Sequence, residues 1–255
     1  MEELNRELDH VAKAHHMFDI PFLFGYKIPV NDTIVVMWVI MAFLILFAYI
    51  FTRNLKQIPE GKQKFTEVVV EMINNLVKDA VGHHWKHFAP YIGTIFLFLI
   101  LANIISIFNV IPNFEELYEI TGIEFFEHLP HLALYPPTKN LNVPAAMAIM
   151  SVVLILLAGI RFKGFKGWLK SFIEPVPFLL PFKILEYGIK PLSLCLRLFG
   201  NILAAFIIME LVYFAFPAFV PGVLSIYFDL FDGILQAYVF VFLTSLFIGE
   251  AVEEE

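Results

Sequence analysis

Apolar residues are grouped along the chain in long runs, with neither the period of a strand nor that of a soluble amphipathic helix. Residues 33–52 hold no charge, and neither do 88–111. A third run, 141–160, ends at Arg161. A fourth, 191–216, contains only Arg197 and Glu210, and a fifth, 223–249, only Asp229 and Asp232. A hydrocarbon core about 30 Å thick needs about 20 apolar residues of helix, so the pattern predicts an all-α polytopic membrane protein with about five transmembrane helices. Residues 1–32 are mixed and polar and read as a separate extracytoplasmic segment. Residues 33–255 read as one integral-membrane domain.

Two segments between the runs differ from simple linkers. Phe65, Val68, Val69, Met72, Ile73, Leu76 and Val77 recur at helical spacing within 59–82. This predicts an amphipathic helix lying along the membrane surface or packed on another subunit. Residues 171–191 are apolar but contain Pro175, Pro177, Pro181 and Pro191, which predicts a bent lead-in to the fourth span.

Composition removes most other classes. Hydrophobic residues make up 59% of the 255 positions and charged residues 16%, whereas soluble domains average about 45–50% and about 25%. The net charge of −7 gives no footprint for nucleic acid. The single cysteine, Cys195, allows no intrachain disulfide. Charge also predicts an orientation. The 53–87 connection carries Arg53, Lys56, Lys62, Lys64, Lys78 and Lys86, and 161–190 carries Arg161, Lys163, Lys166, Lys170, Lys183 and Lys190. Both would be cytoplasmic, which puts the N-terminus outside and the C-terminus inside. The acidic opening Glu2, Glu3, Glu7 and Asp9 is unlike a basic signal-peptide start.

The chemistry concentrates in the last two runs. Arg197 is the only basic residue from Pro191 to Glu255. An arginine in a span usually faces a bundle interior or water and marks an ion pathway, unless it snorkels to the interface. At about 100° per residue, Glu186, Lys190, Ser193, Asn201 and Ala204 lie within about 40° of Arg197. Gly200, Ala204 and Ala205 would let another helix approach closely. Glu210 falls roughly 140° around and about 20 Å further along. Asp229, Asp232 and Gln236 share one face under the same arithmetic. Buried acids set apart from the arginine suggest a proton or cation relay. For the aspartates, the alternative is a water-exposed helix start.

The run Lys190-Pro-Leu-Ser-Leu-Cys-Leu-Arg-Leu-Phe-Gly-Asn-Ile-Leu-Ala204 resembles the hallmark helix of subunit a of the F-type rotary ATP synthase. Glu174-Pro-Val-Pro, Pro136-Pro-Thr-Lys-Asn-Leu-Asn142, Gln236-Ala and Ile248-Gly-Glu250 resemble further parts of that family. The resemblance implies a stator with two aqueous half-channels, whose last two helices run obliquely along a c-ring as a long hairpin. It implies a peripheral-stalk subunit b, a catalytic head acting at a distance, an energy-transducing membrane such as a bacterial plasma membrane, and H⁺ or Na⁺ as the transported ion. Arg197 matches the family's essential arginine, Asn201 and Gln236 its polar neighbours, and Glu186 an acid of the cytoplasmic half-channel. Many members carry an acid nine residues after the arginine, where this chain has Phe206. Glu210, with Asp229 and Asp232, is then expected to line the outer half-channel.

No phosphate-binding Gly-Lys-Ser/Thr loop and no nucleophile-base arrangement is present in the sequence, so no catalytic site and no cofactor are expected in this chain. His83 and His87 have metal-pair spacing but lie beside Trp85 at the start of a span, where an interfacial anchor is expected. Asn103, Ser106 and Asn109 would bond between helices or line a channel. The alternative function is a secondary transporter using Arg197 for an anionic substrate. The duplicated halves common in such folds are not visible in the sequence.

Overall fold

The computed structural model describes residues 16–21, 27–53, 55–105, 136–172, 177–215, 224 and 226–253. A short antiparallel ribbon, β1 (His16–Pro21) with β2 (Lys27–Asn31), pairs Ile20 with Ile28 and precedes the membrane domain. Nothing in the mixed composition of residues 1–32 predicts it. Among the described residues five helices are long and apolar enough to cross a membrane, and the described residues from 32 onward are mainly helical.

Helix α1 (Asp32–Thr52) has 21 residues, about 31 Å of rise, and matches the first predicted span. Its first turn is held by Asp32, whose Oδ1 accepts the Thr33 backbone N–H at 2.7 Å. Only Val36 and Ile40 are buried along it, against Ala102. Trp38, Phe43, Ile45 and Leu46 face outward. A helix with so little protein contact fits lipid as its main surroundings.

Helix α2 (Lys62–Val81) is the amphipathic segment. Its position differs from a helix simply resting on a membrane surface. Ile73, Val77 and Val81, spaced four apart on one stripe, are buried in the same core as the spanning helices. Phe65, Val68 and Met72 remain outside. The sequence specified an apolar stripe but not what would cover it, and here other helices of the chain do so. Gly82, with φ of +74°, turns the chain into the 3₁₀ turn Gly82–His84 and then α3 (Trp85–Ile104). Residues 106–111 of the second predicted span, including Ser106 and Asn109, lie outside the described residues.

Helix α4 (Asn142–Ser171) follows a 3₁₀ turn at Pro137–Lys139 and passes the expected end of the third span. At Gly164 the backbone leaves the helix, with φ of 71°. The segment after it returns, so that Trp168 packs on Gly159. A Cβ on Gly159 would lie 2.8 Å from the Trp168 ring.

Helix α5 (Leu180–Ala215) begins eleven residues before the predicted fourth span and runs through Pro191 without ending. The bent lead-in is thus helical from Leu180 onward. Pro181 occupies the first turn, where its missing N–H has no intrahelical partner to lose. Residues 173–176, including Pro175, lie outside the described residues. Thirty-six residues rise about 54 Å, so α5 must cross a core of about 30 Å obliquely. After a π-helix, Ile226–Asp232, the chain continues as α6 (Gly233–Val252).

The core lies among α2, α3, α4 and α6. Ile92, Leu99, Ile155, Phe240 and Ile248 are nearly inaccessible. One approach leaves no room for a side chain, since a Cβ on Gly249 would collide with the Ala80 carbonyl oxygen. Gly249→Ala should therefore separate α2 from α6 and lower stability by about 1–3 kcal/mol. A thermal melt of the purified full chain that matched the parent would contradict this packing.

Candidate functional site

Arg197 lies near the centre of α5, with 17 residues before it to Leu180 and 18 after it to Ala215. Its side chain is exposed. Among the described residues it has no hydrogen bond and no ion pair. The stripe predicted from helical geometry is present: Glu186, Ser193, Gly200 and Ala204 are also exposed, and Asn201 is half-buried. Leu194 and Leu198, turned roughly 60° and 100° around the helix from Arg197, are buried at 1% and 0% exposure. They form a thin seam holding α5 to the bundle. Beside the polar stripe, Ile189, Leu192, Leu196, Ile207 and Ile208 are left open. An unpaired guanidinium within bare apolar surface is costly in lipid, and is accommodated when a partner bearing an acid covers that surface.

Two polar ties fix α5 against the following arm. Asn201 Nδ2 donates to Asp232 Oδ2 at the end of the π-helix. At the other end, Lys190 Nζ reaches Glu186 Oε1 at 2.8 Å on its own helix and Glu250 Oε2 at 2.7 Å on α6. The Lys190 side chain is only 13% exposed and also sits 4.7 Å from the Phe247 ring centroid. Arg197 falls between the two ties, seven residues after Lys190 and four before Asn201. The arms therefore run antiparallel, held at both ends of the segment that presents the arginine.

The π-helix changes the relation among the predicted acids. An α-helical count puts Asp229, Asp232 and Gln236 on one face, but that angle does not hold through a stretch with i→i+5 bonding. Asp232 is half-buried toward Asn201. Gln236 is 4% exposed, and its Nε2 has no hydrogen-bond partner among the described residues. Among the described residues no hydrogen bond joins Gln236 to Arg197. The side chains of Glu210, Asp229 and Phe206 lie outside the described residues.

A buried polar pin supports this region from behind. Asn103 Nδ2 on α3 donates to the Gly233 carbonyl at 3.0 Å, and Thr138 Oγ1 donates to Asn103 Oδ1 at 2.9 Å. Gly233 is where the π-helix gives way to α6. A Cβ there would sit 2.9 Å from Asn103 Cβ. For Asn103 the structure thus resolves the choice left open by sequence, because it bonds between elements. Gly233 carried no signal beyond a small residue, and Thr138 none beyond its place in the Pro136–Asn142 resemblance, since their partners lie 130 and 35 residues away.

His84 and His87 lie tilted against Phe162 with centroids 4.4 and 5.7 Å away. Among the described residues no three His, Cys, Asp or Glu side chains converge as a metal site. Cys195 is half-buried and unpaired.

The sequence profile of the ATP synthase A chain family matches residues 34–249, from α1 to the end of α6. The chain belongs to that family. It is 36% identical over 248 residues to the sodium-ion-specific ATP synthase subunit a of Propionigenium modestum, covering 95% of this chain and 83% of the relative. It is 35% identical to the chloroplastic subunit a of Stigeoclonium helveticum, covering 97% and 94%. Over 225 residues it is 35% identical to ATP synthase subunit a of Gloeobacter violaceus, covering 88% and 85%. The ATP synthase A chain match takes in Arg197, both ends of the Asn201–Asp232 tie and the Asn103 pin, and stops one residue short of Glu250. The single-chain transporter reading has no support from these matches.

Proposed function

We propose that this chain is the static, ion-conducting partner of a rotary ATP synthase, with two half-channels that deliver H⁺ or Na⁺ to and from a carboxylate on a c-ring. The observation that carries the reading is the exposed Arg197, without a polar partner among the described residues, at mid-helix on an oblique α5 and framed by uncovered Leu and Ile side chains. A ring helix bearing an acid would cover that surface and supply the counter-charge.

The mechanism follows from what lipid permits. A ring carboxylate crosses hydrocarbon only when neutralised by a proton or a sodium ion, since an isolated anion there costs far too much. The guanidinium is permanently charged and lacks an acceptor. It favours ion release, pairs with the empty carboxylate in passing, and repels a cation that would leak directly between half-channels. Moving one charge through 100 mV yields about 2.3 kcal/mol, so several ions would sustain one ATP made in the distant head. No nucleotide chemistry is assigned to this chain.

Asn201 and Asp232 join the two arms beside the arginine, and Gln236 offers a buried amide one turn deeper. Glu186 would serve the cytoplasmic half-channel; Glu210 and Asp229, with Asp232, the outer one. Ser193 extends the polar stripe toward Glu186. Subunit b and the catalytic head complete the assembly. The basic connections support a cytoplasmic C-terminus and an outer N-terminus, in an energy-transducing membrane.

The test is copurification followed by ion uptake. The tagged full chain should bring down a ring and an ATPase head. ATP hydrolysis in vesicles should then drive uptake, measured with and without Na⁺. Uptake only with Na⁺ would assign sodium, and sodium-independent acidification would assign protons. A chain that purified alone and moved a solute unaided would overturn the reading.

A further inference from the structure

Away from the arginine face, α3 and α4 diverge at the end that carries the basic connections and leave a groove of about 290 Å³. It is lined by His87 and Phe88 of α3 and by Leu154, Leu157, Ala158, Arg161 and Phe162 of α4. The α4 residues follow i, i+3, i+4, i+7 and i+8, a single helical stripe. Along that stripe, about 12 Å of rise, the wall passes from aliphatic Leu154 and Leu157 to cationic Arg161. Phe162 closes one end, its ring 4.4 Å from His84, 5.7 Å from His87 and 5.8 Å from Phe88.

The charges are one-sided. No carboxylate lines the groove. Among the described residues Arg161 has neither an ion pair nor a hydrogen bond. Lys86 lies next to His87 and holds its ammonium 5.9 Å from the Trp85 ring. Trp85 and Arg161 are residue types that mark the boundary of a membrane. A wall that passes from apolar to cationic over about 12 Å matches the headgroup end of an acyl chain followed by a phosphate. Basic pockets between spanning helices on the cytoplasmic side recognise anionic headgroups in this way. A freely soluble anion would use the rim and leave the leucine wall bare.

We infer that this groove is a binding site for an anionic glycerophospholipid, with the phosphate held by Arg161 and His87 and one acyl chain along Leu154, Leu157 and Phe88. The inference needs only that these helices cross the bilayer, and is independent of ion conduction at Arg197.

Native mass spectrometry of the full chain in neutral detergent, titrated with phosphatidylglycerol or phosphatidylcholine, tests it. Phosphatidylglycerol should be retained about fivefold more strongly, the factor expected for one basic residue at an anionic surface. Arg161→Gln should abolish that preference, weakening phosphatidylglycerol retention more than that of phosphatidylcholine, whose choline cation already offsets its phosphate. Arg53→Gln, a basic position outside the groove, should leave the preference intact. Leu157→Trp, at an exposed position in the wall, should reduce retention of both lipids. A phosphatidylglycerol with a photoreactive tail should label 154–162. Equal retention of the two lipids, full preference in Arg161→Gln, labelling only elsewhere, or displacement of the lipid by inorganic phosphate would each overturn the site.

Discussion

Arg197→Ala should abolish ion-coupled ATP synthesis while the complex still assembles. Arg197 is exposed and has no hydrogen bond or ion pair among the described residues, so its removal breaks no polar tie there, and α5 keeps its Leu194 and Leu198 seam. The loss falls on the passing ring carboxylate. Leaving one partner of a desolvated ion pair uncompensated costs about 3–5 kcal/mol, or at least about a hundredfold in the population of the ionised intermediate. Arg197→Lys separates charge from geometry. An ammonium keeps the charge but is more strongly hydrated, loses its proton more readily when buried, and cannot form the planar two-point contact of a guanidinium. Synthesis should therefore fail in this variant too. Vesicles containing the purified complex, energised by an imposed ion gradient and assayed for ATP, give the measurement. Normal coupled synthesis in Arg197→Ala vesicles would remove the role assigned to this residue.

The arginine was legible in the sequence because its cost is local: one cation within an apolar run needs a reason wherever the run folds. The spans were legible for the same kind of reason, since about twenty apolar residues and a thickness of about 30 Å leave little choice. The ends of α5 were harder to read. Pro181 and Pro191 look like breaks, yet one sits in a first turn and the other inside a helix long enough to carry it. The π-helix was invisible because the 100° angle assumes α-geometry throughout, so the expected angle from Asp229 to Asp232 and Gln236 does not carry across Ile226–Asp232. The ties were hidden by distance along the chain. Lys190 and Glu250 are 60 residues apart, and Asn103 and Gly233 are 130 apart. No periodicity connects such pairs.

Gly233→Ala should be among the most damaging small substitutions in the chain. The added methyl would meet Asn103 Cβ at 2.9 Å. A Cβ is fixed to its backbone and cannot swing away like the end of a long side chain, so α3 and α6 must separate. Such overpacking costs about 1–3 kcal/mol. It would also stretch the 3.0 Å bond from Asn103 to the Gly233 carbonyl. Interhelical hydrogen bonds in membranes average only about 0.6 kcal/mol, so the steric term should dominate. The displacement would fall where the π-helix ends and would carry Asp232 away from Asn201, so ion flow through the membrane sector should drop along with thermal stability. Asn103→Gly removes the clashing atom, and the double variant Asn103→Gly/Gly233→Ala should be more stable than the sum of the two single effects predicts, by about 1 kcal/mol or more. Strict additivity in thermal melts would show that the two residues do not press on each other. Recovery of stability without recovery of ion flow would show that the Asn103 side chain, beyond its volume, is needed to hold the junction in place.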